Sequence, residues 1–109
     1  MRKSDKKIEN AIRTVLTEAC EIAQQQSPGF QWLTHFVNYD QFPGSLSVVC
    51  VYDTNANLDM ADLDGMRTLI KDSLASIDIK LKDIRRQVRF DTEENCALGN
   101  NGRWGERFG

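Results

Sequence analysis

Oxygen-bearing side chains recur at alternate positions in the segment 53–64, which is the spacing of a calcium-binding loop. The ligand positions of such a twelve-residue loop would fall on Asp53, Asn55, Asn57, Asp59 and Asp64. Oxygen ligands in this pattern suit a hard cation such as Ca²⁺. Leu58 stands where the loop normally has glycine, and aspartate replaces the final bidentate glutamate. The alternative, which we favour, is a turn between a strand and a helix, in which Asp and Asn side chains bond to nearby backbone groups.

A second acidic cluster would form if two strand ends meet. Asp53 follows one predicted strand, and the run 91–94, which begins with Asp91, follows another. Carboxylates at a shared edge can hold Mg²⁺ and activate water against a phosphodiester. Together with Asp53, the segment 78–80 also resembles the D…(D/E)xK arrangement of metal-dependent nucleases, although a predicted helix separates the two parts here. A metal-dependent phosphodiesterase or nuclease is therefore the enzyme hypothesis.

Basic residues form two clusters. Five of them fall within ten positions, at Lys80, Lys82, Arg85, Arg86 and Arg89. Another group opens the chain, at Arg2, Lys3, Lys6 and Lys7. Cations of this kind bind the phosphates of nucleic acids, although a charge run is more often a solvated face, and Asp78 and Asp83 dilute this one. A nucleic-acid-binding regulator that uses the 80–89 segment is a further alternative function.

The C-terminal residues 97–109 include four glycines and show little periodicity, which predicts a flexible tail. The tail also carries two arginines and two large aromatic residues, namely Arg103, Trp104, Arg107 and Phe108. These residue types anchor many protein interfaces, and a disordered segment can become ordered on its partner. The alternative is that the aromatic residues fold back and cover the protein's own sheet.

The single histidine and the three cysteines do not form a recognisable catalytic pattern. His35 lies on a predicted strand, where we expect a partly buried, hydrogen-bonded side chain and not a general base. Cys20, Cys50 and Cys96 are widely separated and lack the spacing of zinc or redox sites, so we interpret them as reduced thiols. No cofactor is predicted beyond the Ca²⁺ or Mg²⁺ discussed above.

Length and composition favour one globular domain. The chain has 109 residues, of which 40% are hydrophobic and 28% charged, and this excludes disordered and fibrous classes. The longest apolar run, 48–52, is too short for a transmembrane or secretory segment, so we expect a cytoplasmic protein. The net charge is −2. Residues 14–66 contain no Lys or Arg and seven acids, so the fold could have one acidic and one basic side.

The spacing of hydrophobic residues predicts where the helices and strands lie. Apolar residues at spacings of three and four predict a helix after Ser4, with the stripe Ile8, Ile12, Val15, Ala19 and Ile22. A strand follows from Phe30, with Phe30, Trp32 and Phe36 on one side and Leu33, Val37 and Tyr39 on the other. The next strand, 46–53, is apolar on both faces and should be central in its sheet.

The second half of the chain is less clear. Leu63, Met66, Ile70 and Leu74 form the stripe of a second helix, which we expect to end near Ser76 after a polar loop over 55–64. Residues 77–85 could continue this helix or form an irregular connection. We favour the connection, followed by a third strand over 86–91.

The predicted fold class is therefore α+β, a two-layer sandwich of order α-β-β-α-β with a small mixed sheet and its helices on one face. A strand-helix-strand unit favours a parallel crossover, so the second and third strands should run the same way and end at one edge. Residues 1–96 would form this domain. Aromatic side chains on the other sheet face would be covered by the tail or by a second copy in a homodimer.

Four segments resemble a small bacterial protein family, some members of which are labelled Fis-type transcriptional regulators. They are 1–7 (MRKSDKK), 32–35 (WLTH), 49–55 (VCVYDTN) and 91–96 (DTEENC). Fis proteins are all-helical DNA-bending dimers that end in a helix-turn-helix. This chain instead has a predicted hairpin in its middle and a glycine-rich end. The resemblance therefore implies a bacterial protein but transfers no recognition residue or active site.

Taken together, these patterns predict a small cytosolic, non-catalytic binding or adaptor protein. A protein partner is favoured over nucleic acid because interface-type residues are concentrated in the C-terminal segment. The phosphodiesterase and the nucleic-acid-binding regulator remain the alternatives.

Overall fold

The computed structural model describes residues 3–109, and over this range it contains three strands and six α-helices. In chain order these are α1 (Lys3–Gln26), β1 (Phe30–Phe36), β2 (Ser47–Tyr52), α2 (Asn55–Met60), α3 (Leu63–Ala75), α4 (Ile84–Gln87), β3 (Val88–Thr92), α5 (Glu93–Asn100) and α6 (Trp104–Phe108). The α+β class and the order α-β-β-α-β are confirmed. The short helices α2, α4, α5 and α6 are additions to that order.

The sheet has β2 at its centre, as the apolar residues on both faces of that strand predict. β1 pairs with β2 antiparallel, and β3 pairs with β2 parallel. Tyr52 lies opposite Thr92, and the amide of Glu94 donates to the carbonyl of Asp53 at 3.1 Å. The ends of the two parallel strands therefore lie together, as expected.

One face of the sheet packs against α1 and α3 and forms the main core. The fully or nearly buried residues from the two helices are Ile12, Leu16, Ala19, Ala23, Met66, Ile70 and Leu74. They cover the β2 side chains Val48, Cys50 and Tyr52. Burying each large aliphatic side chain contributes about 1.5–3 kcal/mol. The buried stripe of α1 is rotated from the predicted one, since Leu16 and Ala23 are buried whereas Ile22 is 40% exposed.

The predicted faces of β1 are wrong for Phe30, because the strand contains a bulge. Phe30 lies opposite Tyr52, whereas Trp32 lies opposite the preceding residue, Val51, so one extra residue is inserted at Gln31. A bulge changes which side chains share a face. Phe30 consequently packs edge to face on Tyr52 in the main core, with ring centroids 5.6 Å apart, while Trp32 faces the other side of the sheet.

The ambiguous segment 77–85 is an irregular connection that ends in α4, as favoured, and the long continuous helix is excluded. α3 ends at Ala75, and Asp78 has a left-handed backbone with φ of 63°. The third strand begins at Val88, two residues later than predicted, because the carboxylate of Asp83 caps α4 by accepting from the amide of Arg86.

Gln87 is a buried polar residue that ties this connection to the β1–β2 loop. Its Nε2 donates to the carbonyls of Pro43 and Leu46 at 3.0 and 2.9 Å. Its Oε1 accepts from the amides of Lys82 and Asp83 at 3.0 and 2.9 Å. One side chain thus satisfies four backbone groups where regular pairing is absent, which fixes the position of α4.

The segment 97–109, predicted as a flexible tail, is placed as the end of α5 and as α6. Asn101, with φ of 52°, and Gly102, with φ of 78°, reverse the chain between the two helices. α6 then packs on the sheet face opposite α1 and α3. The alternative in which these aromatic residues cover the protein's own sheet is the one that the structure adopts.

Gln87→Ala should lower the free energy of unfolding by about 2–4 kcal/mol, because it leaves buried backbone groups without partners. Urea denaturation followed by circular dichroism measures this loss. Gln25→Ala, at an exposed position of α1, is the control and should change stability by less than about 0.5 kcal/mol. Equal stability of the two variants would show that Gln87 does not have this structural role.

Candidate functional site

The predicted calcium loop is not a loop over most of its length. Residues 55–60 form the helix α2, and Thr54 caps it by accepting from the amide of Asn57 at 3.1 Å. Asn55, Asn57 and Asp59 therefore lie on a helix instead of wrapping around an ion. The expectation of a polar loop over 55–64 is wrong for this reason.

The acidic side chains proposed for metal binding have separate partners. The Asp53 carboxylate accepts from Asn57 Nδ2 at 2.9 Å, and this hydrogen bond is the main cause of its lowered pKa. Asp64 is exposed and lies 3.4 Å from Arg67. Asp91 binds Arg107. Within residues 3–109 no group of three or more His, Cys, Asp or Glu is placed to hold a metal ion. The Ca²⁺ and Mg²⁺ hypotheses stay predictions without structural support.

The nuclease-like pattern is also not assembled. Asp53 lies where β2 ends, beside Gly29. Asp78 lies beside Lys7 near the first turns of α1, where β2 and β3 begin. The sheet therefore separates the two elements that this pattern would need in one site.

The two parallel strands end in the same capping motif, Asp-Thr-x-x-Asn. The favoured strand-to-helix turn after Asp53 is therefore confirmed, whereas the second copy after Asp91 was not predicted. In the first copy, Asp53 accepts from the amide of Thr54 at 2.6 Å, and Thr54 caps α2. In the second copy, Asp91 accepts from the amide of Thr92 at 2.9 Å, and Thr92 caps α5. The repeat D-T-x-x-N at 53–57 and 91–95 was the available signal. The motif indicates that two helices begin at this edge of the sheet.

The two caps are hydrogen-bonded to each other. Thr92 Oγ1 donates to Asn55 Oδ1 at 2.6 Å, and Asn55 Nδ2 donates to Asn95 Oδ1 at 2.8 Å. Glu94 Oε1 accepts from the amide of Asn55 at 2.8 Å. These contacts hold α2 and α5 together. The polar side chains at this edge are thus already used in structural hydrogen bonds.

The sheet face opposite α1 and α3 carries a cluster of aromatic residues and arginine, which are common in binding sites. We call this surface the α6 face and define it by Trp32, Phe36, Val49, Arg89, Trp104 and Phe108. Trp32 and Trp104 meet edge to face with centroids 4.9 Å apart, and both indole N–H groups donate to the Glu93 carboxylate, at 2.6 and 2.9 Å. One carboxylate therefore positions both tryptophans of the protein.

An ion pair fixes α6 to β3. Arg107 Nε and Nη2 donate to the two Asp91 carboxylate oxygens, at 2.5 and 3.0 Å, and Arg107 Nη1 donates to Asn100 Oδ1 at 3.1 Å. Burial acts to raise the Asp91 pKa, but the hydrogen bonds from Arg107, Thr92 and Asn95, together with the Arg107 charge, outweigh it and the pKa is lowered. The charged pair is thus the favoured state of this contact at neutral pH.

The far end of α6 leaves apolar surface exposed. Phe108 packs on Phe36 with centroids 5.1 Å apart, yet the two residues remain 37% and 41% exposed. An open depression of about 390 Å³ adjoins them, and Val49, Arg89 and Phe108 are among its lining residues. Of the four predicted partner-binding residues, Trp104, Arg107 and Phe108 lie on the sheet, and Arg103 is exposed and pairs with Glu106 at 3.2 Å.

The five clustered cations do not share one surface. Arg89 lies opposite Val49 and belongs to the α6 face, where it lines the depression. The other four, Lys80, Lys82, Arg85 and Arg86, precede β3. All of these cationic residues are exposed. Side chains alternate in direction along β3, and this alternation places Arg89 on the α6 face. The other four cations lie before the strand and are therefore separated from Arg89.

His35 is a partly buried, hydrogen-bonded residue, as predicted. Its Nε2 lies 2.8 Å from a carboxylate oxygen of Glu9, to which Tyr39 also donates at 3.1 Å. Burial and the Glu9 charge raise the pKa of Tyr39 to about 12. Cys20 shares a groove with His35, but burial raises the pKa of this thiol, which disfavours a nucleophilic thiolate. The Glu9 partner, 26 positions away, could not be found from spacing.

Comparison of the chain with family models, with curated proteins and with solved structures gave no match. The resemblance to Fis-labelled proteins is therefore untested. None of the helices described between residues 3 and 109 combines the length and the apolar character that crossing a membrane requires.

Asp91→Asn should loosen α6 by about 1–3 kcal/mol, because it removes a charge-assisted pair with Arg107. The two tryptophans report this loosening, so we expect their emission to shift to longer wavelength at neutral pH. In the wild type the same shift should appear only in acid. The folded-state pKa of Asp91 is lowered from 3.8, so the stabilisation is present above that value and is lost as the pH falls through the lowered pKa.

Asp64→Asn is the matched control for this experiment, because the Asp64 carboxylate is 88% exposed. Its emission and acid profile should match those of the wild type. If Asp91→Asn also matches the wild type at neutral pH, the ion pair does not hold α6 in place.

Proposed function

We propose that this protein is a small, non-catalytic binding or adaptor protein whose partner is another protein, bound at the α6 face. The observation that carries the proposal is the exposure of Phe36 and Phe108, at 41% and 37%, although they are in contact with each other. Aromatic residues and arginine dominate the energetics of protein interfaces. This surface combines both residue types.

The surface is also rigidly supported. Trp104 is held by Glu93 and by Trp32, and Arg107 is held by Asp91, so the helix that carries Phe108 has two anchors. A pre-ordered surface loses less conformational entropy on binding than a flexible one. The ordered state of α6 therefore supports a binding role. This differs from the expectation from the sequence, which was a flexible tail that becomes ordered only on its partner.

The depression beside Phe108 indicates what kind of segment would fit. Phe108 supplies exposed apolar surface, and the exposed cation of Arg89 lines the same depression, together with Glu106, which is paired with Arg103. A partner segment with an apolar side chain next to a carboxylate complements this combination, because the carboxylate can pair with Arg89. We therefore infer an acidic, partly apolar protein segment as the ligand.

The remaining parts of the proposal concern compartment and assembly. The three cysteines are free thiols, which is compatible with the reducing cytoplasm. A second copy of the chain is another possible occupant of the α6 face, and sedimentation distinguishes it from a different protein. The phosphodiesterase hypothesis gains no support, because Asp53 and Asp91 are bound to Asn57 and Arg107.

The proposal is tested by retention of partners from a cell lysate on immobilised protein, quantified by mass spectrometry. Proteins retained by the wild type should be lost, by about tenfold or more, from Phe36→Ala/Phe108→Ala. Arg89→Glu should give a similar loss without removing apolar packing, because it reverses the charge that faces the ligand.

The control is Ile22→Ala/Met60→Ala, which removes two other exposed apolar residues, at 40% and 87% exposure. It should retain the same proteins as the wild type. Retention by all variants alike would refute a binding role of the α6 face. A concentration-dependent dimer that Phe36→Ala/Phe108→Ala abolishes would assign the face to self-association instead.

A further inference from the structure

The two basic segments of the sequence meet at one end of the molecule. Lys7, near the start of α1, lines the same recess as Asp78 and Ile79, which follow α3. Phe42 of the β1–β2 loop lines it too. Gln87 bonds the carbonyl of the adjacent Pro43 and so holds α4 against this loop. We call this end the basic pole and define it by six exposed residues, Lys6, Lys7, Lys80, Lys82, Arg85 and Arg86.

Acidic residues gather at the other end of the sheet. Asp53, Asp62 and Glu93 lie at the starts of α2, α3 and α5, where β2 and β3 end. The six-residue strand β2 separates the two ends of the sheet by about 17 Å, at ~3.3 Å per residue, whereas charges are screened over about 8 Å at physiological salt. A ligand at the basic pole therefore experiences the local charges, in which six cations outnumber Asp78 and Asp83, and the net charge of −2 does not describe its environment.

The recess at the basic pole is apolar and large enough for a planar ring. It has a volume of about 290 Å³, and its walls include Ile8, Phe42 and Ile77. Phe42 is half-buried and stacks on Tyr39 with centroids 5.7 Å apart. An aromatic wall beside Lys7 thus combines a surface for stacking with a charge for phosphate. Proteins that bind single-stranded nucleic acids use this combination.

We propose that the basic pole binds single-stranded nucleic acid, with backbone phosphates on the lysines and arginines and one base in the Phe42 recess. A duplex fits less well, because its bases are stacked inside and cannot enter the recess. A membrane surface also fits less well, since peripheral binding pairs cations with exposed apolar side chains. Between residues 3 and 109 the large exposed apolar residues lie outside the basic pole, at Ile22, Phe36, Met60, Leu98 and Phe108.

This surface is distinct from the α6 face. Arg89 is the register partner of Val49 on the neighbouring strand and lines the depression next to Phe108, so it is not part of the basic pole. The inference therefore does not rest on the proposed protein partner. Each of the two surfaces can fail its test without affecting the other.

The test is fluorescence anisotropy of a labelled RNA strand of mixed sequence with the full chain, repeated with the same strand in a duplex. We expect binding to the single strand that weakens about ten- to fiftyfold between ~50 and ~200 mM salt. Arg85→Gln/Arg86→Gln should reduce the slope of log affinity against log salt by about 1 to 1.5, since each lost phosphate contact contributes about 0.7. Both side chains are exposed, so the variant should keep the wild-type melting temperature.

Two further variants separate charge from stacking. Lys71→Gln/Arg103→Gln removes the same charge from exposed positions outside the basic pole and should leave the slope unchanged. Phe42→Leu keeps an apolar side chain in the recess but removes the ring. It should weaken binding severalfold at every salt concentration without altering the slope.

Several results would overturn the proposal. They are absence of binding at low salt, equal or tighter binding of the duplex, and an equal loss of slope in Lys71→Gln/Arg103→Gln. Binding to phosphatidylserine vesicles that Arg85→Gln/Arg86→Gln removes, without binding to the RNA strand, would assign the basic pole to a membrane surface instead.

Discussion

The parallel pairing of β2 with β3 is the constraint from which both surfaces follow. It makes the two strands begin at one end of the sheet and finish at the other. At the finish, Thr54 and Thr92 each start a helix, and Asn55 joins the two starts by hydrogen bonds. At the beginning, Gln87 joins the β1–β2 loop to α4 by donating to the carbonyls of Pro43 and Leu46. Asp53, Asp62 and Glu93 lie at the end where the strands finish. The cations between residues 80 and 86 lie at the end where they begin.

The same pairing determines how the second sheet face is closed. Since α5 begins directly after β3, Glu93 comes to lie where both Trp32 and Trp104 can donate to it. α6 must then return across the sheet, and with only five residues it is too short to cover the whole face. Phe36 is therefore left partly exposed beside Phe108. The apolar surface of the α6 face is a consequence of this short return.

Local patterns predicted much of this fold, and long-range contacts account for what was missed. The central position of β2 and the end of α3 follow from periodicity, which is local. The bulge at Gln31 is not visible in the alternation of β1, and it changed the face of Phe30. The Trp32–Glu93 hydrogen bond joins residues 61 positions apart, so no spacing rule could indicate that the glycine-rich end packs on the sheet. The strand-to-helix turn favoured at Asp53 is present, but the repetition of its capping motif at Asp91 was not predicted.

Side-chain alternation in β3 is what divides the cations between two surfaces. Val88 and Phe90 face the core formed by α1 and α3, so Arg89 and Asp91 must face the other side. Asp91 is used to hold Arg107, which leaves Arg89 as the β3 cation in the depression. Arg86, in contrast, belongs to α4, whose position Gln87 sets at the strand beginnings. A basic run in the sequence is therefore divided between two separate surfaces of the molecule.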